Sequence, residues 1–389
     1  MKVIPVYLPQ FHTIPENDKW WGKGFTEWVN VKKAVPLFPG HYQPRVPLNK
    51  NYYDLRDVET LKWQAELANR FGIYGFCMYH YWFNGKLLLE KPMEMLLAHP
   101  EIPLRYCISW ANHDWTDAWK AREGKNHILI GHDFDDEADW EAHFNYMLPF
   151  FKDPRYIAEN NKPFMIIYVP NIIRKLGKMI ALWDRMARDA GFAGLTFIYQ
   201  SAMSCFDPSW DRSTFDYGVQ FQPGYRDGKS KSCGAWRWRL IHIARSLKKA
   251  LGIHSTGQSA SKDVTLFDYD QAWNEILSAA PFDHPTIPAA FVDWDNTPRS
   301  GRSGSVYLGA SPEKFKHYFR QLLIRARKVY HQDKIMVFAW NEWAEGGYLE
   351  PDERFGCGYL QAISDVLDEL SEREPEYGGF AAPLPPCGQ

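Results

Sequence analysis

Two carboxylates beside one turn carry the strongest chemical signal in this sequence. Glu342 and Glu345 flank Trp343 in the run Trp340-Asn341-Glu342-Trp343-Ala344-Glu345-Gly346, with Gly347 following. Two carboxylic acids brought to one rim can divide into a proton donor and a proton acceptor when their surroundings push their pKa values apart, and that division cleaves glycosidic bonds. Trp340 and Trp343 lower the local polarity, which favours such a separation; the competing reading is a pair of solvated acids at a turn.

Three other stretches repeat one mixture, Trp or Tyr beside Asn, Asp or Glu. They are Tyr79-His80-Tyr81-Trp82-Phe83-Asn84, Ser109-Trp110-Ala111-Asn112-His113-Asp114-Trp115 and Asp293-Trp294-Asp295-Asn296. The mixture suits a sugar, whose C–H faces stack on aromatic rings while its hydroxyls need placed polar partners. Glu342 and Glu345 are therefore the candidate catalytic residues. Tyr7, His80, Tyr81, Trp82, Trp110, Asn112, Trp294, Asp295, Asn341 and Trp343 are the candidate substrate-binding residues. Aromatic rings packing beneath loops is the bland alternative. His80 reads as a hydrogen-bonded rim residue rather than a catalyst, and Glu27 as a residue orienting the long first loop. Asn341 precedes Glu342, and strand alternation sends their side chains to opposite sides, so Asn341 supports the site rather than touching substrate unless the turn has already begun there. Asp293-Trp294-Asp295 also spells the Asp-x-Asp by which many sugar-nucleotide transferases hold a divalent metal on a diphosphate. No His/Cys/Asp cluster at ligand spacing surrounds the acid pair, and no Gly-rich phosphate fingerprint follows the first strand. Neither a metal nor another cofactor is expected.

The elements that must position these residues form a countable alternation. Strands are predicted at Val3 to Phe11, Ile73 to Phe83, Leu104 to Asn112, Phe164 to Val169, Leu195 to Ser201, Tyr217 to Pro223, Thr286 to Asn296 and Ile335 to Glu342. Helices are predicted between them, at Val58 to Phe71, Pro92 to Ala98, Glu137 to Phe151, Ile172 to Ala190, Trp236 to Leu251, Tyr269 to Ala279 and Pro312 to Tyr330, with a last one at Gly358 to Leu370. Continuous apolar strands alternating with helices mean a parallel sheet with a covered outer face, and eight of them mean α/β architecture as a single (β/α)8 TIM-type barrel. A doubly wound open sheet would give a similar string. The barrel is assigned to residues 1–377, with a loose Gly/Pro-rich tail at 378–389. In a barrel the strands' C-terminal ends share one face, so Trp82, Trp110 and Trp294 should meet the acid pair at one rim. The stretch His12 to Leu55 is long for a connection, and long loops of this kind are usually functional.

Composition bounds the answer. With 389 residues, 45 Lys+Arg against 47 Asp+Glu and 45% hydrophobic residues, the chain is neither disordered nor a nucleic-acid-coating basic protein. Its 17 Trp, 21 Tyr and 24 Phe exceed what a core needs, so many should line a cleft. The six cysteines are scattered, indicating neither a disulfide framework nor a zinc site. No apolar run reaches a membrane span and no signal-like stretch opens the sequence, so a cytoplasmic location without an integral membrane segment is expected. Residues 226–249 carry eight Lys and Arg against Asp227. They read either as a solvated insertion or as a contact for phosphate or a membrane surface.

A resemblance adds to this reading. Tyr7-Leu8-Pro9-Gln10-Phe11-His12, Trp20-Trp21-Gly22-Lys23-Gly24-Phe25-Thr26-Glu27-Trp28, Tyr74-Gly75-Phe76, Tyr79-His80-Tyr81-Trp82-Phe83, Trp294-Asp295-Asn296-Thr297-Pro298-Arg299 and the Trp340 to Gly346 run are similar to blocks of the WbsX-like family of bacterial polysaccharide-cluster proteins. That family is labelled glycosyltransferase, yet it resembles the family 99 glycoside hydrolases, retaining endo-mannosidases and endo-mannanases on a (β/α)8 barrel. The resemblance implies an oligosaccharide or polysaccharide substrate. It also implies a mechanism in which Glu342 deprotonates the sugar's own 2-hydroxyl to form a 1,2-anhydro sugar while Glu345 protonates the leaving oxygen. Ala344 stands where the hydrolases carry His, and Asn112-His113-Asp114-Trp115 stands where WbsX-like chains carry Asn-Glu-Asn-Trp. The family label implies the alternative, a nucleotide-sugar-dependent transferase of O-antigen or capsule biosynthesis with Asp293 and Asp295 as metal ligands. A non-catalytic carbohydrate-binding barrel is the third reading.

Overall fold

The computed structural model describes residues 1–117, 127–200, 212–224 and 263–372. Buried apolar runs form nine strands: β1 (Lys2–Tyr7), β2 (Phe76–Phe83), β3 (Tyr106–Trp110), β4 (Lys162–Ile167), β5 (Thr196–Gln200), β6 (Tyr217–Val219), β7 (Thr286–Ile287), β8 (Ala289–Phe291) and β9 (Lys334–Phe338). They pair in the order β7-β6-β5-β4-β3-β2-β1-β9-β8, parallel at every step. The one strand expected over Thr286 to Asn296 is divided, because Pro288 between β7 and β8 has no N–H to give a ladder. Its carbonyl still accepts from the Met336 amide at 3.2 Å. β7 faces β6 while β8 faces β9, so this single segment nearly closes a barrel, the α/β fold expected from the alternation.

Helices cover the outside: α3 (Val58–Arg70), α4 (Lys91–Ala98), α5 (Glu137–Phe151), α6 (Leu176–Asp189), α7 (Tyr269–Ser278), α8 (Pro312–Lys328) and α9 (Gly358–Glu372), following the short α1 (Pro15–Trp21) and α2 (Glu27–Lys33). Several start where a side-chain oxygen takes an otherwise orphaned amide: Asp57 from Glu59, Asp136 from Ala138, Asp268 from Gln271 and Ser311 from Lys314. α8 buries Phe315, Phe319, Leu322 and Leu323, the spacing of one helical stripe laid on the barrel. The predicted helix Trp236 to Leu251, the basic stretch 226–249 and the tail 378–389 lie outside the described residues.

The long connection between β1 and α3 is what distinguishes this barrel's upper face. It holds α1 and α2 and is tied to the rim by backbone bonds, Glu27 N to Gln10 O at 3.0 Å, Leu48 N to Pro351 O at 2.9 Å and Glu353 N to Val46 O at 2.9 Å. Cys77 and Cys107 are free and buried on neighbouring strands. Cys357 is disulfide-bonded, which the cysteine spacing had not indicated. No helix among the described residues is long and apolar enough to cross a membrane.

Candidate active site

The site is built on the turn that follows β9. Asn341 and Glu342 pair antiparallel with Gly347 and Tyr348, and Trp343–Glu345 makes one tight helical turn between them. Gly346 closes the turn at φ +69°, and a Cβ there would lie 2.8 Å from the Asp295 amide nitrogen. Only glycine tolerates that backbone and that approach. The Asp295 N–H in turn donates to the Glu345 carbonyl at 2.7 Å, fastening the turn to the segment after β8. Asn341 points away from Glu342 and acts as a rung to β1, accepting from the Leu8 amide at 2.8 Å and donating to the Leu8 carbonyl at 3.0 Å.

A buried carboxylate that sequence reasoning did not select anchors this turn from behind. Glu350 accepts from Tyr53 Oη (2.8 Å), Gln64 Nε2 (2.7 Å), Trp340 Nε1 (3.0 Å) and Trp343 Nε1 (2.7 Å). Burial pushes its pKa up to about 7, and these four donors pull the other way. Trp343 is therefore held with its back to the acid pair, stacked on Tyr348 at 3.8 Å between ring centroids.

Arg299 joins the acids. It sits on the helical turn Thr297–Ser300, and its planar fork gives Nε to Glu27 (3.0 Å), Nη1 to Glu345 (2.5 Å) and Nη2 to Glu342 (3.0 Å). One buried cation thus faces three carboxylates, an arrangement the rigid guanidinium suits and an ammonium does not. Burial is the largest influence on Glu342 and lifts its pKa to about 8; Arg299 lowers it, and Glu345 and Glu27 raise it. Glu345 is raised as well, by burial first, with Arg299 opposing. With its pKa at about 8, Glu342 retains a proton near neutral pH. The Glu345 side chain is the more open of the two, 20% exposed against 5% for Glu342.

Both acids open into one cleft of about 440 Å³. Its walls carry Trp21, Tyr79, Tyr81, Trp115, Tyr168, Phe221 and Trp294, with Gln10, His113, Asp114 and Thr116 among them. His113 is exposed to the cleft, and partial desolvation by its walls lowers its pKa, so a neutral imidazole there can both donate and accept. Burial raises the Tyr81 and Tyr168 pKa values, keeping both phenols protonated.

Of the residues singled out in the sequence, Glu342, Glu345, Tyr81 and Trp294 meet in this cleft, and the others are placed elsewhere. Alternation along the strand explains most of the difference. On β2, Tyr79 and Tyr81 face the cleft while His80 and Trp82 turn to α5: His80 Nε2 lies 2.9 Å from His143 Nε2, and Trp82 stacks on His143 at 4.7 Å and donates to Asp139 at 3.0 Å. Burial holds the His80 pKa down at about 3. Trp110 packs against His143 and Trp183. Asn112 brackets the Val169 backbone at 2.7 and 2.9 Å, and Tyr7 donates to Gln64 at 2.9 Å. Trp82, Trp110 and Trp294 do share the C-terminal rim with the β9 turn, but only the last reaches the cleft. Arg299 stood in a motif block without a role, and the same period-2 reasoning applied to Asn341 and Glu342 would have selected Tyr79.

The Asp-x-Asp is already occupied by protein donors. Asp293 accepts from Arg45 Nη1 at 2.8 Å. Asp295 Oδ2 accepts from His41 Nε2 (2.8 Å) and Gln43 Nε2 (2.7 Å), and its Oδ1 from the Thr297 amide (3.1 Å) and hydroxyl (2.6 Å). His41 Nδ1 accepts from the Leu37 amide, so the ring proton lies on Nε2 and points at Asp295. This donor set does not fit a diphosphate-bound cation. Among the described residues no cluster of three His, Cys, Asp or Glu could hold a metal ion.

Fold and family are both shared with known proteins. The chain belongs to the family described as Glycosyltransferase WbsX, which matches residues 3–363. Two relatives from Xanthomonas campestris pv. campestris, each described as "Uncharacterized protein WxcX", are 35% identical (strain B100) and 34% identical (strain ATCC 33913) over 376 residues. The match covers 94% of this chain and 49% of each relative, so the chain spans about half the length of the curated relatives it matches. Among solved structures, the GH99 endo-alpha-mannosidase from Bacteroides thetaiotaomicron has a similar fold, with TM-score 0.57, 13% identity and coverage of 96% of this chain and 98% of that one. A structure described as "Glycoside hydrolase-like protein" follows at TM-score 0.51 and 13% identity, covering 86% and 91%.

Proposed function

We propose that this protein cleaves or transfers glycosidic bonds of a bacterial-type polysaccharide with retention of configuration, using Glu342 and Glu345. The observation that carries the reading is the pair itself: the buried Glu342 and the half-buried Glu345, bridged by Arg299 and opening into one aromatic-walled cleft. In the proposed reaction Glu342 takes the proton of the sugar's 2-hydroxyl and O2 attacks C1. The bond from C1 to the leaving oxygen breaks as Glu345 delivers its proton there. An acceptor hydroxyl or water then attacks C1 and gives its proton to Glu345, while O2 departs from C1 and recovers a proton from Glu342. Atoms and charge balance without a cofactor, and the aromatic walls and the neutral His113 are suited to hold the sugar. The nucleotide-sugar transferase reading draws on the family name, but its Asp-x-Asp is engaged by Arg45, His41, Gln43 and Thr297.

The deciding experiment incubates purified protein with α-mannan, rhamnan and capsule-type oligosaccharides, with and without nucleotide sugars. New reducing ends or transfer products formed without nucleotide support the proposal. Product that requires a nucleotide sugar overturns it. The pH dependence then tests the roles, because kcat/KM reports the free enzyme's groups and an interacting pair titrates as a unit. With Glu342 as the base, activity should rise with pH through an apparent pKa near the value of about 8. If Glu342 were the acid, activity would instead fall above it.

A further inference from the structure

Behind Trp343, on the side away from the acid pair, lies a larger concavity of about 1100 Å³. Its walls are the loop from Pro47 to Tyr53, the face of α3 that carries Trp63, Glu66 and Arg70, and the residues Trp343, Glu350 and Pro351. The chemistry at Glu342 and Glu345 makes no use of it. We infer that this concavity is a second saccharide site, which holds a stretch of polymer away from the bond that reacts. The inference rests on the carbohydrate reading of the acid cleft.

The site is formed before any ligand arrives. Leu48 N donates to Pro351 O at 2.9 Å, which pins together the two chain segments that make its mouth, and Lys50 N donates to Pro47 O at 2.8 Å, which closes a turn within the first of them. Asn49 and Lys50 are consecutive non-glycine residues in the left-handed region, at φ 56° and 55°. Strain of that sort persists only where the surroundings hold it, and it gathers at ligand clamps. The wall chemistry is that of a sugar site, with aromatic rings beside amides and mixed charges. Tyr53 spends its hydroxyl on Glu350, and Lys32 Nζ lies 4.0 Å from the Tyr52 ring centroid. The half-buried Trp63 is therefore the stacking platform, with Asn49, Lys50, Asn51 and Glu66 placed to meet hydroxyls. An apolar peptide would leave those polar groups unmatched. Glu350 at the floor has both oxygens engaged by four donors, so this is a place to bind and not to react.

The test uses the Glu342→Gln/Glu345→Gln double variant, which cannot consume its ligand, on an array of bacterial O-polysaccharides and yeast α-mannan. Trp63→Ala removes the platform. Asn51→Trp, at an exposed position on the mouth, fills the space without removing core contacts, so it remains informative if Trp63→Ala folds poorly. Each should weaken polymer binding about tenfold, a loss typical of one stacked ring. In the otherwise wild-type protein each should leave turnover of a short aryl glycoside within about twofold, since that substrate fills only the acid cleft. Polymer binding unchanged in both variants, or no polymer bound by the double variant, overturns the inference. Failure of the catalytic proposal is distinct: it is absence of aryl glycoside turnover by the wild-type protein, which leaves the binding measurement intact.

Discussion

At the scale of single residues, Arg299 is the organiser of the proposed chemistry, because one guanidinium sets the charge state of both acids at once. Replacing it with Met leaves Glu27, Glu342 and Glu345 facing one another without a cation. Since Arg299 lowers the pKa of both Glu342 and Glu345, its loss should move the pH–activity limb upward and reduce kcat/KM by about 10²- to 10³-fold; an unmoved limb in the Met variant would show that it does not set the pair's protonation. The two acids separate by leaving group. Glu345→Gln should lose about 10²- to 10⁴-fold on a natural glycoside, whose alkoxide needs a proton, yet keep much of its first-step rate on an activated aryl glycoside. Glu342→Gln should be impaired on both, and equal losses for both variants on both substrates would remove the role assignment. Stability carries a separate signature. Glu342 is lifted from 4.5 to about 8, so the folded state binds more protons than the unfolded one between those values. Its contribution is therefore fully present below about pH 4.5 and is lost as pH rises toward 8. Denaturant titrations of Glu342→Gln across that window should show a flatter pH dependence than wild type.

At the scale of elements, the turn after β9 is positioned from two sides, by Glu350 behind it and by the Asp295 to Arg299 segment beside it. Glu350→Leu leaves four buried donors unpartnered, at about 1–3 kcal/mol each if none relaxes. Partial relaxation should leave a net destabilisation of about 3–5 kcal/mol, readable as a lowered denaturant midpoint with unchanged slope. Gly346→Ala tests the other side, because its Cβ would meet the Asp295 amide at 2.8 Å in a left-handed backbone. It should displace Glu345 from Arg299 and lower kcat more than KM; unchanged kcat would mean the turn tolerates the shift. The long β1–α3 connection works with this turn, since it delivers Glu27 to Arg299 and His41, Gln43 and Arg45 to Asp293 and Asp295.

At the scale of the whole molecule, a parallel barrel carries the acid cleft at its C-terminal rim, and the described residues present no ready metal cluster there. Activity on a polysaccharide should therefore survive dialysis against a chelator; loss that Mn²⁺ or Mg²⁺ restores would favour the transferase reading. The barrel was legible in the sequence because continuous apolar strands alternating with capped, one-sided helices are a local property of the chain, and so was the placing of Glu342 and Glu345 after the last strand. Tyr79 was readable too, from the period of two along β2, whereas His80 and Trp82 show how an aromatic run hides which of its members face a cleft. Arg299 and Glu350 could not be found in this way. Glu27, Arg299 and Glu345 are far apart in sequence and share one hydrogen-bonding fork only because the β1–α3 loop folds over the rim, and Glu350 matters only because Gln64, Tyr53, Trp340 and Trp343 converge on it. Periodicity and side-chain chemistry are encoded residue by residue, which makes the architecture and the position of Glu342 and Glu345 readable along the chain; the burial and charge that set how those acids titrate arise from long-range contacts, which exist only once the chain has folded.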